Sequence, residues 1–121
     1  MKKRKAVQLV KALREGGYKQ GGGQLVTDND EFCCLGVVCN ISEQPLEWEY
    51  RMGFWLIGLH DATLPKAIQK EFGFYGDMGE RRDGKDIVIN GKEYLSLTSA
   101  NDDGCTFEQI ADYIEEHWEM L

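Results

Sequence analysis

Residues 31–40 read EFCCLGVVCN. Three cysteines fall within seven residues, two of them adjacent, in a run that is apolar except at its ends. Four readings compete: a metal knuckle, a disulfide staple, a catalytic thiol, and a buried junction between strand and helix. Zinc takes ligands that converge at tetrahedral angles, usually from C-x2-C pairs. Cys33, Cys34 and Cys39 lack that spacing, and adjacent cysteines point in different directions. A disulfide requires an oxidising compartment, and the chain reads as intracellular. Free cysteine otherwise packs as a small hydrophobe. Cys34, Val37, Val38 and Ile41 then form one helical stripe, and Cys33 finishes the strand leading into it. We adopt this last reading, which makes 34–41 a buried helix. Gly36 inside it suits a place where another backbone approaches closely.

The thiol reading has its own logic. A cysteine at a helix N-terminus has its thiolate stabilised by the helix dipole. Gln20 lies upstream, and His60 and Asn101 lie downstream. That order matches oxyanion donor, nucleophile, base and orienter in thiol proteases of the papain type. The local cysteine signature of those enzymes is absent, so the chain is read as a non-enzyme, with a cysteine-dependent hydrolase as a lesser alternative.

Outward from this stretch, the chain punctuates itself. Ala6, Leu9, Val10 and Leu13 recur at helical spacing, which predicts a helix over 3–15 stopped by Gly16–Gly17. Gln24–Thr27 and Glu31–Cys33 predict a short hairpin across Asp28-Asn29-Asp30. Residues 43–62 are rich in aromatics and undecided. TLPKAIQKEFG predicts a helix with Pro65 in its first turn and Gly73 at its end. Residues 74–84 read as loop. DIVINGKEYLSL places Asn90-Gly91 between two strand-like runs, the signature of a two-residue hairpin. SLTSAN predicts a short helical turn. Thr106 and Gln109 form a capping box for a last helix, with Phe107, Ile110, Ala111, Ile114 and Trp118 inward. The sum is one α+β domain over 1–121, with about four helices and short antiparallel hairpins.

Charge is divided along the chain. The net charge is −7, yet residues 1–20 carry +6 and the remainder −13. The acidic bulk argues against DNA or RNA as partner. The opening MKKRKAVQLVKALREGG is charged like the start of a signal peptide, but Gln8, Lys11 and Arg14 interrupt its apolar residues. No apolar run approaches the roughly 20 residues of a membrane span. The expected setting is the cytoplasm, with no membrane partner, no cofactor and no metal.

Two polar segments lack an evident core role. Tyr18-Lys19-Gln20-Gly21-Gly22-Gly23 joins a flexible backbone to the basic helix. Glycines permit N–H groups to approach an anion, Lys19 supplies charge, Gln20 an amide, and Tyr18 a stacking face. The structural alternative is a turn after a helix. Asn101-Asp102-Asp103-Gly104 offers an amide and carboxylates for a ribose or a base edge, or else caps the final helix.

YKQGGGQL, then FCCLGVVCN, then LSLTSANDDGCTFEQIADYIEEHW together resemble a widespread family of small phage and prophage proteins. Its members carry a YxQGxGxL segment, a CCLGVLCD-like segment and a terminal L-N-D-x-G-x-x-F-x-x-I-A-D-x-I-E segment. Here Val38 and Asn40 stand where Leu and Asp are commoner, and Ala100 where Leu is usual. By analogy with other small phage proteins, the resemblance implies an anti-defence sponge. Such a protein sequesters a cyclic dinucleotide or a cyclic ADP-ribose derivative without cleaving it. The ligand residues expected on this reading are Tyr18, Lys19, Gln20, Gly21, Trp55, Asn101 and Asp102, in a site shared across a homodimer or higher homo-oligomer. The alternative is an acidic protein-binding inhibitor of a host defence enzyme.

Overall fold

The cysteine-rich stretch becomes helix α2, Cys34–Ile41, and its residues from Cys34 to Cys39 are all buried. Cys33 is the residue that caps it: its backbone is extended, and its Sγ accepts the Gly36 N–H at 3.3 Å. The Cys33 N–H in turn donates to the Leu25 carbonyl at 3.0 Å. Gly36 lies directly against that same carbonyl, so close that a Cβ would overlap its oxygen. The junction and the close backbone approach are therefore both as the sequence predicts, and the partner is Leu25. The hairpin expected before it is reduced to single bridges, Val26 to Phe32 and Gln20 to Phe32. Three chain segments converge on Phe32, and this leaves no room for a regular ladder.

Helix α1, Lys3–Glu15, buries Ala6, Leu9, Val10 and Leu13. It lies antiparallel against α5, Phe107–His117, with Arg14 beside Glu108 and Met1 beside Trp118. The expected capping box of α5 is present: Thr106 accepts from the Gln109 N–H, and Gln109 from the Thr106 N–H. Phe107, Ile110, Ala111 and Ile114 are buried as expected, and so is Tyr113. Trp118 corrects the expectation. It falls beyond α5 in a 3-10 turn, Trp118–Met120, and is only half-buried.

Between these helices lie two small antiparallel hairpins and two shorter helices. Strands β1, Trp48–Arg51, and β2, Phe54–Ile57, pair Trp48 with Ile57 and Tyr50 with Trp55. Their turn uses Met52 and Gly53 at φ 52° and 88°. Strands β3, Ile87–Ile89, and β4, Lys92–Tyr94, turn at Asn90-Gly91 with φ 52° and 77°, the left-handed pair such a loop requires. Helix α3, Lys66–Phe72, ends at left-handed Gly73, and Pro65 sits one residue before it rather than inside its first turn. Helix α4, Leu97–Asp102, is capped by Ser96. The computed structural model describes all 121 residues, and one core of 28 buried residues draws on every helix from α1 to α5. The fold class is α+β, and no helix is long and apolar enough to cross a membrane.

Candidate functional site

The structure brings Gln20 and Asn101 together, and their amides are used within the fold. Asn101 is 4% exposed. Its Oδ1 accepts from the Gln20 side chain at 2.9 Å and from the Cys34 N–H at 3.2 Å. Its Nδ2 donates to the Gly21 carbonyl at 2.8 Å. Gln20 donates also to the Cys105 carbonyl at 2.8 Å, and its Oε1 accepts the Phe107 N–H at 3.1 Å. Cys34 and Phe107 are the first residues of α2 and α5. Their N–H groups are among those that a helix cannot satisfy internally. Two side chains distant in sequence therefore cap two helices and pin the glycine loop between them.

The glycine loop is likewise engaged. Gly21 N–H donates to Phe32 O at 2.9 Å, and Gly23 N–H to Asp102 Oδ1 at 2.9 Å. A Cβ on Gly21 would stand 2.6 Å from that of Glu31. Tight packing explains this glycine, and two N–H groups expected to face an anion face the protein instead. Lys19 points outward at 71% side-chain exposure, 3.5 Å from Glu31. Tyr18 packs edge-on against Phe32 at 5.0 Å and accepts from Asn40 at 2.8 Å. Trp55 stands apart from this group. It lines a small cleft of about 160 Å³ with Val26, Asp30, Phe32, Asn40 and Trp48.

The thiols are poor nucleophiles. All four cysteines are free and buried. Burial pushes Cys33 up to about 11 from an ordinary value of 9, drives Cys34 well above it, and raises Cys39 too. The helix N-terminus opposes this through hydrogen bonds to the thiolate, but desolvation outweighs it. Neither histidine contacts a thiol: His60 bonds Thr63, and His117 packs on Tyr113. No group of His, Cys, Asp and Glu is placed to hold a metal ion. A thiol reagent should therefore label no cysteine faster than the protein unfolds, and all four after denaturation. Rapid labelling of native Cys33 or Cys34 would contradict this packing. Folding favours the protonated Cys33 thiol, so its contribution to stability is full below pH 9 and is lost as pH rises through about 11.

A larger concavity was not visible in the sequence. Lys3, Ala6, Val7, Val10, Lys11 and Arg14 from α1 meet Glu115 and Trp118 across a groove of about 510 Å³. Arg14 is committed to Glu108, Asp112 and Glu115. Lys3 and Lys11 pair with no acid. They lie on one face two turns apart, about 12 Å along the axis at 1.5 Å per residue. Their i, i+4, i+8 spacing with Val7 was readable from the chain. That Trp118 would close the groove was not, because it depends on how α1 meets the end of α5.

No solved structure matches this chain. A DNA ligase of Pseudomonas fluorescens (strain SBW25) is 36% identical over 62 residues, a segment that covers 50% of this chain and 8% of the ligase. The model of the family described as a domain of unknown function, DUF8296, matches residues 1–118, and the chain belongs to that family.

Proposed function

We propose that the protein is a non-catalytic, phage-encoded sponge that holds a small phosphate-bearing nucleotide signal in the groove between α1 and α5. The observation that carries this reading is the meeting of unpaired Lys3 and Lys11 with Trp118 around one concavity. Its volume of about 510 Å³ lies within the roughly 300–1,000 Å³ usual for small-ligand sites. The lysines contact phosphate, Trp118 stacks on a base, and the carboxylates of Glu15 and Glu115 accept from ribose hydroxyls or exocyclic amines. Arg14 neutralises Glu115, the one of its three acidic partners that lines the groove, which leaves the charge of Lys3 and Lys11 for the ligand. On this reading the ligand lies in the α1–α5 groove rather than at the glycine loop, where the Gly21 and Gly23 N–H groups are hydrogen-bonded within the fold.

Calorimetry with cyclic dinucleotides and cyclic ADP-ribose isomers tests this. The wild type is expected to bind one of them, more weakly as salt rises, and to release it intact on heat denaturation. The Lys3→Glu/Lys11→Glu variant should bind none while melting normally, since both side chains are exposed. Loss of binding in Lys19→Glu alone would return the site to the glycine loop. No heat with any nucleotide would instead favour an acidic inhibitor that docks on a host defence enzyme.

A further inference from the structure

The cleft beneath β1 and β2 has a chemistry opposite to that of the α1–α5 groove. Its walls are Phe32, Trp48 and Trp55, with Val26 behind them. Phe32 and Trp48 stand at 88° with their centroids 6.4 Å apart, so they form two sides of a corner. Trp55 supplies a third aromatic surface and is braced by Tyr50, edge-on at 5.2 Å. No lysine or arginine lines the cleft. Asp30 does, and its carboxylate has no ion-pair or hydrogen-bond partner in the fold. Asp28, its neighbour, is occupied by the Tyr50 hydroxyl at 3.2 Å. Asp30 also sits in the left-handed region at φ 56°, a conformation uncommon for a residue with a side chain. Its main-chain N–H is held by the Thr27 carbonyl at 3.0 Å, which fixes the turn that presents the carboxylate.

Aromatic faces attract cations through their ring quadrupoles, and such rings enclosing a methylated ammonium are a recurrent use of that force. An anion would find no counter-charge in this cleft. An unmodified lysine ammonium is compact and strongly hydrated, so entry would strip its water into an apolar space. A methylated ammonium sheds water more readily and fills the space with methyl groups. A cleft of about 160 Å³ is too small for a whole nucleotide but accommodates such a head group. The net charge of −7 draws cations toward the surface from a distance. We propose that the Phe32–Trp48–Trp55 cleft, with Asp30 at its mouth, is a binding site for a methylated ammonium group, carried either by a free molecule or by a modified lysine.

The test uses choline and its uncharged isostere 3,3-dimethylbutan-1-ol, with the indole N–H signals of the three tryptophans read by NMR. Choline is expected to shift Trp48 and Trp55 and leave Trp118 unmoved. The neutral alcohol should bind about tenfold more weakly, the size of one cation–aromatic contribution. Asp30→Asn, a surface change of equal shape, should weaken choline severalfold and leave the alcohol unaffected, and Trp55→Ala should remove both. A trimethyllysine peptide that binds more tightly than choline assigns a protein-borne ligand, and equal binding assigns the free molecule. Equal affinity for choline and the alcohol, or no shift of Trp48 and Trp55 with either probe, overturns the proposal.

Discussion

Gly36→Ala is expected to destabilise the fold by about 3 kcal/mol or more, a large share of the roughly 5–15 kcal/mol that holds an ordinary domain together. Two effects oppose each other. Alanine is the better helix former by up to about 1 kcal/mol, and position 36 lies in the first turn of α2. Against that, the new methyl would overlap the Leu25 carbonyl oxygen and come within 2.9 Å of its carbon. Neither atom can swing aside as a side chain would. The Leu25 carbonyl accepts from Cys33, and the Leu25 N–H donates to Asp61 at 2.6 Å, so both ends of the residue are held. Leu25 and Leu35 are also fully buried, which removes any slack. Sterics therefore win. Urea unfolding followed by circular dichroism gives the answer directly: an unchanged or raised midpoint would mean that the two backbones are not in contact.

Asn101→Ala should cost about 3–5 kcal/mol. The substitution leaves the Cys34 N–H and the Gly21 carbonyl without a partner, each at a cost of about 1–3 kcal/mol, and removes one of the two acceptors of the Gln20 amide nitrogen. Relaxation and entry of water return part of that sum. Gln20→Ala should cost somewhat less, since Gln20 is less buried than Asn101. Because the two amides bond each other, the double variant should be less destabilised than the sum of the singles. Strict additivity in that thermodynamic cycle would show that the two residues act separately.

These two residues also mark how far the sequence could be read. Elements set by local pattern were legible: the apolar spacing of α1 and α5, the Asn90-Gly91 turn and the Thr106–Gln109 cap all form where expected. The β1–β2 hairpin was not, because Met52 carries no preference for the left-handed conformation it adopts there. Gln20, Asn101 and the glycines stood out as polar or flexible groups without a core role. In the fold Gln20 and Asn101 cap helices across 87 and 67 residues, and no local pattern announces a partner that distant. The groove followed the same rule. Its lysines were in plain view, but its aromatic wall exists only once α1 and α5 have met. The aromatic cleft was half seen, through Trp55, while Asp30 read as an ordinary turn residue.

The antiparallel contact of α1 with α5 has a consequence for how the chain is made. The apolar stripe of Ala6, Leu9, Val10 and Leu13 leaves the ribosome about a hundred residues before its partners Ile110 and Ile114. At about 5–20 residues per second, the first helix waits on the order of 5–20 s for its partner. Over that interval Gln20 and Cys34 also lack the amide that will satisfy them. Native packing can therefore form only once α5 has been made, and a nascent chain stalled before residue 107 should be bound by chaperones or degraded.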